Sequence, residues 1–187
     1  MTGVFASPAL KSAIRLAVRA VPRARRRKSA KAVTGDVLTK LLATCAPDSL
    51  RDLRDRAILM VAFASGGRRR SEIAGLRKEQ LTVEPSIEVD DGTPLPSLAI
   101  HLGRTKTSGA EQDEVVYLTG QPVEALNAWL HAASINKGSI FRAIDRWDNV
   151  SRRPLDPKAV NDIVKQRVAM AELEPRDFSS HGLRAGI

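Results

Sequence analysis

The stretch GRRRSEIAGL, residues 67–76, decides how the rest of this chain is read. Gly66 and Gly67 break an apolar helical pattern, Arg68, Arg69 and Arg70 follow, and a short helix resumes with Ile73 and Leu76 as its apolar positions. Three successive cations at a helix start are electrostatically awkward, because the positive end of the helix dipole repels them. A bound phosphate relieves the conflict, and the planar guanidinium fork matches phosphate oxygens in a way that lysine does not. Glu72 lies three residues beyond Arg69, within side-chain reach on a helix, and can hold that guanidinium in place. Simple solvent exposure is the competing reading for the arginines, and an ordinary helix-start carboxylate the competing reading for Glu72.

Working toward the N-terminus, residues 49 to 65 carry Leu53, Ala57, Ile58, Val61 and Ala62 at helical spacing, and DVLTKLLATC, opened by Thr34, Gly35 and Asp36, reads as another amphipathic helix. Residues 7 to 21 place Leu10, Ile14, Ala17, Val18 and Val21 on one helical face, with Ser7 as N-cap and Pro8 in the first turn. Between these helices runs PRARRRKSAKAV, a basic segment with no apolar face. It reads as an exposed linker whose Arg23, Arg25, Arg26, Arg27 and Lys28 attract phosphate.

Beyond residue 77 the period shortens to two in QLTVE, SLAIHL and EVVYL, with DDGTPLP and RTKTSGAEQ as turn-rich connectors. This predicts a three-stranded antiparallel sheet. Helical spacing returns in PVEALNAWLHAA and in DPKAVNDIVKQRVAMAE, which Asp156 and Pro157 start well, and DFSSHGLRAGI reads as a loop entering a further helix. The expected class is mainly α, of the α+β type, with one small sheet.

The 30 Lys and Arg against 21 Asp and Glu, a formal charge of +9, favour a polyanionic partner. The single cysteine, Cys45, excludes an intramolecular disulfide and a thiolate zinc cluster. No acidic or histidine cluster has metal-ligand spacing, so no cofactor is expected and a metal-dependent nuclease is disfavoured. No apolar run of about 18 residues or secretory leader is evident, and a cytoplasmic, DNA-associated protein is expected.

Taken in order, GRRRSEIAGL, the strand connector GRTKTSG and the tail SSHGLR resemble the catalytic domain of the tyrosine recombinases, or phage integrases. That family carries a Gly-x-Arg-x-Ser-Glu turn, a lysine in a hairpin of its small sheet, and a later His-x-x-Arg. The resemblance covers roughly residues 30 to 187. It implies Arg69, Glu72, Lys106, His181 and Arg184 as the catalytic set, with Arg104 the nearest competitor to Lys106 and with Arg68, Arg70, Arg104 and the basic linker as DNA contacts. It also implies two units: 1–32, a closing helix of a core-binding domain with the linker, and 33–187, the catalytic domain.

The implied chemistry is site-specific strand cleavage and rejoining of double-stranded DNA. Two arginines stabilise negative charge growing on the phosphate. Lys106 protonates the departing 5′ oxygen, and His181 bonds a phosphate oxygen or accepts the nucleophile's proton. A tyrosine forms a 3′-phosphotyrosyl bond, retaining the bond energy without metal or ATP. The family works as a tetramer on two duplexes. The only tyrosine here, Tyr117, lies in EVVYL ahead of His-x-x-Arg, whereas the family's nucleophile follows it, so Tyr117 is expected to be a core or sheet residue. The chain is accordingly expected to be inactive alone: a fragment of a longer protein, a truncated product, or a half-site taking a tyrosine from another subunit. A non-catalytic DNA-binding module that kept the recombinase fold is the competing reading.

Overall fold

The computed structural model describes residues 31–88, 92–102 and 114–184. The helix expected over 7–21, the basic linker through Lys28, and the hairpin residues Arg104 and Lys106 lie outside the described residues.

Helix α1 (Gly35–Ala43) turns Leu38 and Leu41 inward. It stops two residues short of the expected end because the amides of Thr44 and Cys45 donate to the carbonyls of Leu41 and Leu42, at 3.2 and 3.1 Å, tightening the last turn. Helix α2 (Leu50–Ala64) begins where Ser49 accepts a hydrogen bond from the Asp52 amide at 3.3 Å. Every residue from Ala57 to Ala62 is buried, so this helix runs through the centre of the core rather than along its edge.

After the short helix α3 (Arg70–Ala74) come the three expected strands: β1 (Leu81–Glu88), β2 (Pro94–His101) and β3 (Val115–Thr119), antiparallel in that order. Ile100 stands opposite Leu81 and Val116, and Leu98 opposite Val83 and Leu118. Leu98, Ile100 and Leu118 face the core, while Val83 on edge strand β1 is exposed. The β1–β2 register shifts between Glu84 and Ile87, across Pro85, which has no amide to give to the ladder. Tyr117 is a sheet residue as expected, but its side chain is 65% exposed on β3 and not in the core.

Helix α4 (Gln121–Ala132) packs along α2 and buries Trp129, whose indole N–H donates to the Ile140 carbonyl at 3.0 Å. Helix α5 (Pro157–Met170) starts at Asp156, whose carboxylate accepts from the Lys158 amide at 2.7 Å. Between them lies a two-stranded ribbon that periodicity does not reveal: β4 (Arg142–Ile144) and β5 (Val150–Pro154). Only Ile144 and Val150 of this ribbon pack on the core, too few to set a period-two signal. The architecture is mainly α around a small three-stranded sheet, with this ribbon added.

One charged cluster sits inside the core. Arg167 of α5 pairs with Asp55 of α2 at 2.7 Å, also contacts Asp52, and donates to the Thr44 carbonyl at 2.8 Å. Arg54 covers the other Asp55 oxygen at 2.8 Å. The cluster ties α2, α5 and the end of α1 together, and among the described residues no buried side-chain nitrogen or oxygen lacks a hydrogen-bond partner.

Candidate functional site

The Arg69 turn is built from the end of α2. The Ser65 amide still donates to the Val61 carbonyl, and then Gly66 and Gly67 take φ of +74° and +68°. Two consecutive left-handed residues are accessible at low cost only to glycine, which is why the helix stops and the chain reverses here. Arg69 becomes the N-cap of α3 and Arg70 its first residue, so the helix opens one residue before the SEIAGLR run.

The three arginines part ways. Arg68 folds inward: its Nε donates to the Ser65 carbonyl at 3.2 Å and its Nη2 meets Glu114, at the start of the β3 arm, at 2.6 Å. That hydrogen bond, strengthened by the opposite charge, holds the Glu114 carboxyl below its ordinary pKa. Arg69 and Arg70 are exposed, and no carboxylate lies within ion-pair range of Arg70 among the described residues. The Glu72 carboxylate accepts the Arg69 amide at 2.9 Å, and its other oxygen stands 4.0 Å from the Arg69 Nε. Glu72 thus fixes the backbone from which Arg69 projects and loosely braces the guanidinium, whose side chain stays 58% exposed. The result is a guanidinium open to solvent on a glycine-fixed turn, free to offer its fork of donors.

The tail motif is anchored by α5. Asn161 accepts from the Ser180 amide at 3.0 Å and from its hydroxyl at 3.4 Å, while Phe178, Ser179 and Leu183 are buried beneath. The Ser179 hydroxyl accepts from the His181 amide at 3.3 Å, and a 3₁₀ turn, Gly182–Arg184, follows with Arg184 as its last residue. From the N-terminal side, the Val33 amide donates to the Gly182 carbonyl at 3.0 Å and Lys31 pairs with Asp177 at 2.7 Å. His181 is exposed at this turn.

The two halves share supports. Helix α3, carrying Glu72, packs against α5, which carries Asn161, and the Gly182–Arg184 turn packs against α2, from which the Arg69 turn springs. Sequence reasoning missed Asn161, Glu114 and the Asp52–Asp55–Arg167 brace. Asn161 had one legible signal, a weak helix former inside the helical run AVNDIV. Among the described residues no group of three or more His, Cys, Asp or Glu can hold a metal, and no helix is long and apolar enough to cross a membrane.

A helical core around a small three-stranded sheet carries both the Arg69 turn and the His181 turn. The profile of the phage integrase family matches residues 31–187, and the chain belongs to that family, the tyrosine recombinases. It is 32% identical over 146 residues to an integrase/recombinase XerD homolog of Selenomonas ruminantium, covering 75% of this chain and 40% of that protein. It is 29% identical over 161 residues to the tyrosine recombinase XerD of Xanthomonas axonopodis pv. citri (strain 306), covering 82% and 47%. The chain therefore spans less than half the length of these relatives. Its fold is similar to that of the XerH site-specific recombinase bound to palindromic difH substrate in a post-cleavage complex, with TM-score 0.57 at 16% identity, covering 85% of this chain and 41% of that one. The pre-cleavage complex of XerH gives TM-score 0.56 over 85% and 42%.

Proposed function

We propose that this chain supplies the phosphate-activating residues of a site-specific DNA recombinase or integrase that cuts and rejoins duplex strands through a 3′-phosphotyrosyl bond. The observation that carries the reading is the Arg69 turn: an exposed guanidinium on a glycine-fixed, Glu72-capped backbone, packed on the same two helices as the His181 turn. Arg69 and Arg184 bind the non-bridging oxygens where negative charge grows, and Glu72 keeps Arg69 aimed. Lys106 protonates the departing 5′ oxygen, and His181 bonds the phosphate or takes the nucleophile's proton. Arg70, Arg104 and the linker cations Arg23, Arg25, Arg26, Arg27 and Lys28 hold flanking phosphates. Arg68, already paired with Glu114, contributes to this set mainly by holding the turn.

Residues 1–32 close a preceding core-binding unit, and 33–187 form the catalytic unit. Tyr117 sits on the sheet ahead of the His181 turn, so the nucleophile comes from outside these 187 residues and the chain alone does not turn over. Full-length members of the family assemble as tetramers on two duplexes, whereas this chain alone is monomeric or weakly associated, in the cytoplasm. The competing reading is a DNA-binding module without chemistry, favoured by the same observation about Tyr117.

The test is strand cleavage on a nicked substrate carrying the crossover site. A parent protein that includes a tyrosine after Arg184 should form a denaturation-resistant protein–DNA adduct, and Arg69→Ala should lower its rate by about 10²-fold or more, as loss of a transition-state donor does. An adduct formed by the 187-residue chain alone would show the nucleophile to be misplaced. Wild-type rates in Arg69→Ala would remove Arg69 from the catalytic set, and a parent that binds the duplex without forming an adduct would leave the binding module.

A further inference from the structure

The β4–β5 ribbon ends in a tip that the proposed chemistry does not use. Its turn, Asp145 to Asn149, is tightly held. The Asp145 carboxylate accepts the amides of Trp147 and Asn149 at 2.8 and 3.0 Å and the Asn149 side-chain amide at 3.0 Å. Asp148 adopts φ of +62°, and the Asp145 amide donates to the Asn149 carbonyl at 3.1 Å. The tip is then fastened to the start of α2: Arg51 donates to the Asp145 carbonyl and lies 3.7 Å from Asp148, and Arg54 donates to the Arg142 carbonyl at 3.4 Å.

What this scaffold presents is an indole 67% exposed, with the Arg146 guanidinium stacked 4.0 Å above its ring centroid. An exposed tryptophan on a rigid turn has no role in the core, and its stacked arginine is already oriented. Arg152 and Arg153 on β5 are exposed, and no carboxylate pairs with either among the described residues. The ribbon's two acids, Asp145 and Asp148, are engaged within the turn and by Arg51. The free charge of the tip is therefore positive.

We infer that the Arg146–Trp147 tip is a second duplex contact, gripping DNA that flanks the cleavage site. The inference rests on the reading that this chain binds duplex DNA. Arg51, which holds the tip, stands in the first turn of α2, and Ser65, whose carbonyl holds Arg68, caps its other end fourteen residues on, about 21 Å at the α-helical rise. That span corresponds to about 6 base pairs at 3.4 Å each, well within the length of a duplex that also engages the Arg69 turn. The guanidinium takes phosphate oxygens or enters a narrow minor groove, and the indole packs its apolar face on the deoxyribose wall with its N–H free to donate. A protein partner is the other class such a tip fits, since Trp and Arg dominate interface hot spots, but the unpaired cations on β5 favour the polyanion.

The chain's two tryptophans make the test direct, because Trp129 is fully buried and Trp147→Phe isolates the Trp147 emission. The 187-residue chain is titrated with a 30-base-pair duplex (~30, about three helical turns) at several salt concentrations. Saturating duplex should shield Trp147 from acrylamide to the level of Trp129, and Arg146→Ala should reduce the slope of log affinity against log salt by about one. Salt-dependent binding with Trp147 still open to acrylamide and an unchanged slope in Arg146→Ala would overturn the tip contact while leaving the proposed function. No salt-dependent binding by the wild type would sink both. Shielding of Trp147 by raised protein concentration without DNA would overturn the inference in favour of a protein contact.

Discussion

Arg167 of α5 and Asp55 of α2 form an ion pair at 2.7 Å with side chains only 2% and 3% exposed, and this pair joins the helix behind the His181 turn to the helix behind the Arg69 turn. Removing Arg167 strips the buried Asp55 Oδ2 of its partner and leaves Arg54 alone to balance the charge through Oδ1. Arg167→Ala should therefore cost about 3–5 kcal/mol in urea unfolding, whereas replacing both partners with apolar residues of similar volume should cost much less. Equal losses for the single and double variants would show that the cluster contributes through packing alone.

The Glu72 carboxylate caps the Arg69 amide at 2.9 Å. Glu72→Ala should destabilise the chain by about 1 kcal/mol, with Glu72→Gln retaining most of the cap. Thermal unfolding of the two variants checks this. If glutamine is as harmful as alanine, the ionised carboxylate acts on the Arg69 guanidinium and not on the backbone.

Glu114 has its pKa lowered by the Arg68 hydrogen bond and charge. A carboxyl depressed in the folded state stabilises the fold above its unfolded pKa, and that contribution is lost as pH falls through the depressed folded value. In Arg68→Ala, carboxyl NMR should find the Glu114 pKa risen toward its ordinary value of 4.5. An unmoved titration would mean that the pair is not held in solution.

Much of this was legible beforehand, for definable reasons. The Gly66-Gly67 break, the Asp156-Pro157 start and the long apolar faces of α2, α4 and α5 are local signals, and these elements formed where their signals stand. The β4–β5 ribbon was not legible, because its stability comes from Arg51 and Arg54 on a helix some ninety residues earlier, 94 and 88 positions away. The fates of Arg68 and Arg69 were also hidden: adjacent arginines look alike in sequence, and only the sheet brings Glu114 to one of them. Tyr117 reads as apolar-strand residue by alternation, yet β3 is an edge strand and its outer side chain stays exposed.

Asn161 is the anchor that sequence reasoning overlooked. Asn161→Ala frees the Ser180 amide and hydroxyl, so amide exchange should quicken over Ser180 to Gly182 while α5 keeps its protection. In a catalytically competent parent, the same change should slow cleavage more than it weakens DNA binding, because it loosens His181 without removing a cation. Uniform weakening of both would assign Asn161 a purely structural role.

The central claim is that Arg69 stabilises a phosphate undergoing cleavage. The most direct measurement is the rate of covalent adduct formation on a nicked crossover-site duplex by a parent protein that includes the tyrosine, comparing wild type, Arg69→Lys and Arg69→Ala at saturating DNA. The account predicts a loss of about 10²-fold or more for alanine and only partial rescue by lysine, whose single ammonium cannot reproduce the guanidinium fork. Adduct formation at the wild-type rate in Arg69→Ala would contradict it.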